Sequence, residues 1–161
     1  METNYKRWCA MLTLVLLCPL FTGTAAAGSM PMKACELITA KDVETILGSG
    51  FAPQDVLDTE ITSTCAYVKN KVGVVSVTLT RDSMSAAQLL QIQQAGFKQQ
   101  GLQVTPVSGL GESAYYVINS ESDFVLNFGR GNLRVMLAES GGKPNIEAAL
   151  KLARMAYPRL K

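Results

Sequence analysis

The sequence predicts an α+β domain: a single antiparallel sheet of about five to six strands, with helices packed mainly on one face, in the order α-β-β-α-β-β-β-β-α. Three observations predict it. A β-hairpin followed by a helix is written twice, over 61–101 and again over 124–157. The strand–helix–strand alternation that a parallel sheet demands is missing. And strands with one buried face show as period-two patterns, the clearest being Val75, Val77 and Leu79 against Ser76, Thr78 and Thr80.

The helices carry their own start and stop signals. Thr39 is a good N-cap, and Asp42 three residues on completes a capping-box pattern. Ile38 and Val43 hold the positions of a hydrophobic staple, Val43, Ile46 and Leu47 form a short apolar stripe, and Gly48 supplies the stop. A helix this short needs tertiary contacts to persist. Ser85 and Gln88 repeat the box before a helix bearing Leu89, Leu90, Ile92 and Phe97, with glutamines on its polar face and Gly101 at its end. The last helix starts near Pro144, sets Ile146, Ala149, Leu150, Ala153 and Tyr157 on one face, and ends at Pro158.

Between the helices, 49–60 reads as a loop punctuated by Gly50 and Pro53. Strands follow over 61–68 and 74–81, joined by a turn at 70–73. The stretch 102–107 reads as an edge strand because of Pro106. Gly109 and Gly111 make a tight connection, and strands follow over 114–118, 124–128 and from 133, the last two joined by a glycine-rich turn.

The chain opens with an export signal over 1–27, leaving 28–161 as one domain. Lys6 and Arg7 precede an apolar run from 10 to 21, and Ala25-Ala26-Ala27 fits the cleavage rule. That run is short for a hydrocarbon core about 30 Å thick, and Pro19 interrupts it. Leu17 precedes Cys18 where lipid attachment wants a small residue. The expectation is a periplasmic or secreted protein with no stable membrane anchor and, once Trp8 has gone with the signal, no tryptophan. Cleavage also removes Cys9 and Cys18. Cys35 and Cys65 remain, an even number in an oxidising compartment, and are expected to form a disulfide.

The segments Cys35-Glu36-Leu37-Ile38-Thr39, Cys65-Ala66-Tyr67 and Gly109-Leu110-Gly111-Glu112 resemble a pattern of small exported bacterial proteins of unknown function, many of them lipoproteins. This chain lacks the lipid-acceptor site and departs from them there. The resemblance implies the Cys35–Cys65 bond and an envelope location, and it brings no catalytic residues.

The chemistry is defined mostly by exclusion. The chain has no histidine, which removes His-based triads, Cys-His pairs and the usual zinc sites. The net charge is +2, from 15 Lys+Arg and 13 Asp+Glu scattered singly, which argues against a nucleic-acid partner. Acids such as Asp55, Asp58, Glu60, Glu121 and Asp123 read as solvated surface. Met30 and Met32 could offer soft thioethers to Cu(I), but a frayed terminus explains them as well. No metal and no cofactor is expected. Tyr67, Tyr115, Tyr116, Arg130 and Arg134 are the candidate binding residues, because tyrosine and arginine dominate interaction hot spots. The expected function is a non-catalytic envelope binding or accessory protein, with an unknown protein or small-molecule ligand. The alternative is an inhibitor or immunity protein that caps a lytic or toxic enzyme.

Overall fold

The computed structural model describes residues 30–69 and 73–161; the stretch expected to be an export signal and most of the turn at 70–73 lie outside the described residues. Four helices, α1 (Ala34–Leu37), α2 (Ala40–Leu47), α3 (Ala86–Gln99) and α4 (Ile146–Ala156), accompany seven strands. These are β1 (Ala52–Asp58), β2 (Thr62–Lys69), β3 (Gly73–Arg81), β4 (Val104–Pro106), β5 (Tyr115–Ser120), β6 (Asp123–Arg130) and β7 (Leu133–Ser140). All lie in one antiparallel sheet of order β1-β2-β3-β7-β6-β5-β4. Two meanders, β1–β3 and β4–β7, meet at their last strands.

The α+β class and the single antiparallel sheet are as expected. The strand count is not: among the described residues there are seven, and two helices rather than one precede the sheet. The extra strand is β1, within a stretch expected to be a loop. All seven of its residues are exposed, so it lacks the alternating burial on which a strand is recognised. Pro53 lies near its start and the register slips between Asp55 and Leu57, both marks of an edge. The extra helix, α1, is one turn, with Glu36 reaching back to the Lys33 amide at 3.1 Å.

Pairing register decides which side chains share a face. Cys65, Val77, Leu137, Leu126 and Tyr116 stand opposite one another strand by strand across the sheet. This face, with Leu79, Val135, Phe124 and Phe128, is buried under Leu37 and Ile38 from the α1 segment, Val43 from α2, and Ala149, Leu152 and Ala153 from α4. Among the described residues a helix covers the opposite face only at the β4–β6 end. There Leu90 of α3 packs on Tyr115 and Val117, with Phe97, Leu102 and Val104 around them. Three helices therefore lie on one face and α3 on the other. Gly129 makes that close approach possible, since a Cβ there would sit 2.5 Å from the Ala86 methyl and 2.5 Å from the Leu133 carbonyl.

The helix signals translate into real contacts. The Thr39 hydroxyl accepts the Asp42 amide at 3.2 Å while Asp42 accepts the Thr39 amide at 2.8 Å. Gly48 takes a positive φ of 86° at the end of α2. Ser85 caps α3, but Gln88 accepts the Ser85 hydroxyl rather than completing a box. Two details differ from the apolar-stripe reading. Ile92 on α3 is exposed, while the glutamines Gln93 and Gln94 bond inward to the Tyr115 hydroxyl and the Ser113 carbonyl. On α4 the buried leucine is Leu152, with Leu150 half-buried at the margin. The face turns toward Ala148, Leu152 and Ala156 because α4 packs against α2 as well as the sheet.

Beyond Pro158 the chain does not simply leave. A single 3-10 turn (Tyr157–Arg159) returns it so that Leu160 is fully buried.

Candidate functional site

The five sequence-predicted binding residues do not converge. Tyr67 is fully buried on the helix-covered face, its hydroxyl donating to the Ile38 carbonyl. Tyr115 is fully buried on the opposite face under α3. Burial pushes both phenols up to about 12. Tyr116 points the other way from its neighbour, as strand alternation requires, and packs half-buried at 5.5 Å from the Phe124 ring. Arg134 on β7 pairs with Asp82 at 3.1 Å. Arg130 is exposed and donates to the Leu160 carbonyl at 3.3 Å.

The other two predicted positions do meet. Cys35 and Cys65 form the disulfide, with Cα atoms 5.2 Å apart. The bond ties α1 to β2, and Ser63 adds a second tie by accepting the Ala34 amide at 2.9 Å. A carboxylate oxygen of Asp55 lies 2.9 Å from the Cys35 sulfur. Cys35, Cys65 and Asp55 thus cluster as three potential metal ligands. Bonded to each other, the two sulfurs offer a cation no thiolate.

This corner leads onto the outer strand β1. Val56, Leu57 and, in the turn beyond, Ile61 are 61%, 48% and 57% exposed. Asp58 pairs with Lys33 at 2.5 Å, and that lysine also feels Asp55 and Glu36. Glu60 is exposed in the same turn. The sequence reading missed this group because a non-alternating, Pro-containing stretch reads as a loop; the one available signal was its apolar Val56-Leu57 pair among acids.

Elsewhere among the described residues lie open hollows. One of about 460 Å³ lies between Ile118 and Pro144, and another of about 180 Å³ is walled by Leu47, Phe51, Val74 and Val75. Glu139 lines the second. One of its oxygens accepts the Asn145 amide at 2.7 Å, and the other is buried with no hydrogen-bond partner among the described residues. Burial raises its pKa above the ordinary carboxylate range. Asp42 is the opposite case. Arg159 donates to its two oxygens at 2.5 and 3.1 Å and to the Leu37 carbonyl at 2.7 Å. That fork, helped by the Thr39 amide and hydroxyl, lowers the Asp42 pKa to about 2 against the cost of burial. Both ends of this pair join packed elements of the fold.

Comparison with protein-family models, curated proteins and solved structures finds no match to this chain. Among the described residues no helix is long and apolar enough to cross a membrane.

Proposed function

We propose that the chain is an exported envelope or periplasmic binding protein that works by contact with another protein rather than by catalysis. The observation that carries this reading is the exposed Val56, Leu57 and Ile61 along the outer strand and its turn. Exposed large apolar groups that cluster, rather than scatter, mark interaction surfaces. Enclosed small-molecule sites bury most of their ligand, whereas these two hollows are only part-enclosed. The export signal over 1–27, the disulfide and the resemblance to small exported bacterial proteins support the location. The lack of histidine supports a non-catalytic role.

Site-specific photocrosslinking in intact cells tests it. A crosslinker at Leu57 should capture a partner that one at Thr105, on the opposite sheet edge, does not. Equal capture from both positions, or none from Leu57, would sink the proposal. A lytic or toxic enzyme recovered in inhibited form would make the chain an inhibitor.

A further inference from the structure

We infer that β1 is the docking site for an extended, basic polypeptide segment, which adds to the sheet as a further strand. This rests on the protein-contact reading above. β1 is the outermost strand and pairs on one side only, with β2. Among the described residues its other side is a row of backbone donors and acceptors without a neighbouring strand, which is the template that strand addition uses. The opposite edge cannot serve equally. β4 is three residues long and ends in Pro106, which has no amide to give.

The side chains narrow the occupant. Val56, Leu57 and Ile61 supply apolar contact beside the backbone row. Charge selects the partner's sign. Glu36, Asp55 and Asp58 surround Lys33, and Glu60 follows in the turn. This acidic corner sits in a chain whose formal net charge is +2. A strand alternating lysine or arginine with apolar residues would face both features at once.

A second copy of this chain fits less well. Pairing β1 with itself about its central residue puts Asp55 opposite Asp55, and like charges directly opposite are destabilising. Pro53 and the register slip at Val56 interrupt the edge at two points, so a partner has to match a short stretch rather than any flat strand.

The test uses the exported protein and three synthetic peptides of the length of β1. One alternates lysine with valine, one alternates glutamate with valine, and the third is the lysine peptide N-methylated at alternate amides. Binding is read by fluorescence anisotropy at low salt, and its position by amide exchange. The lysine peptide should bind and protect β1 amides; the glutamate peptide should not. N-methylation should weaken binding by roughly tenfold or more, because it removes the backbone bonds but not the charge. Combined Asp55→Asn, Asp58→Asn and Glu60→Gln should also weaken it by roughly tenfold, with the denaturation midpoint confirming that the variant is folded.

Equal binding of the methylated peptide would show charge attraction alone and overturn strand addition. So would protection away from β1, no binding of the lysine peptide, or a dimer in sedimentation that Leu57→Lys abolishes. If the peptides fail while Leu57 still captures a partner in cells, the protein-contact reading stands and this inference falls. If Leu57 captures nothing, that reading falls whatever the peptides do.

Discussion

Two buried or part-buried acids shift in opposite directions, Asp42 because Arg159 donates to it and Glu139 because burial goes uncompensated. Asp42 has a folded pKa of about 2, below its unfolded value, so the unfolded chain binds more protons between the two. The stability it contributes is present above about pH 4 and is lost as the pH falls toward 2, amounting to about 2 kcal/mol. Acid titration of the denaturation midpoint should show this loss, and Asp42→Asn should flatten it. Arg159→Lys should cost about 1–3 kcal/mol, because lysine cannot span both carboxylate oxygens and the Leu37 carbonyl; chemical denaturation reads it. Glu139 works the other way. Its folded pKa is raised, so the folded state holds its proton longer and stability declines as the pH rises above the ordinary carboxylate value. Glu139→Gln should remove that decline, which thermal melts across the pH range will show. None of this was legible in the sequence. Asp42 was read as a cap, which it is, but its partner lies 117 positions away.

At the scale of elements, α1 and α2 depend on what ties them down. Both are short, and short helices are marginal alone. Replacing Cys35 and Cys65 by serine should cost about 2–5 kcal/mol and expose the Leu37 and Ile38 amides to exchange before those of β3. Simultaneous loss of protection in all elements would contradict it. α3 depends on contact rather than covalent linkage. Gly129→Ala should cost about 1–3 kcal/mol through overpacking, and Ala86→Gly should recover part of it, the Leu133 carbonyl remaining in the way. On α4, Leu152→Ala should cost about 2–5 kcal/mol and Leu150→Ala less, since only Leu152 is fully buried. The sequence identified this helix and its apolar character. It could not say which edge of the apolar stripe faces inward, because that depends on α2 lying beside it.

For the whole molecule, the turn at 157–160 closes the fold. Arg159 joins the C-terminal turn to the α2 cap, Leu160 fills the core, and Arg130 holds the Leu160 carbonyl. Deleting 158–161 should therefore lower the denaturation midpoint far more than an exposed tail would, and loosen α2 as well as α4 in amide exchange. An unchanged midpoint would show that these contacts are dispensable. Among the described residues the same architecture leaves one sheet edge long and uncovered while the other is short and ends in proline. The acidic corner and its exposed Val56 and Leu57 therefore stand at the one edge with enough backbone to receive a strand.

By itself the sequence determined the α+β class, the capped α2 and α3, the alternating β3, the edge character of β4 and the Cys35–Cys65 pairing. Each rests on local chemistry or on elimination: a hydroxyl three residues from an amide, a period of two, a proline without an N–H, two cysteines outside the expected export signal. Only the tertiary structure decided that β1 is a strand, that Tyr67 and Tyr115 are core rather than surface, and that acids read as isolated gather at one edge. A fully exposed strand has no burial pattern to reveal it; its identity comes from hydrogen bonds to a neighbour. A tyrosine on a strand alternates between faces by rule, but which face is covered depends on helices far away in the chain. The candidate site is a property of the sheet's edge, and an edge exists only once the strands have been put in order.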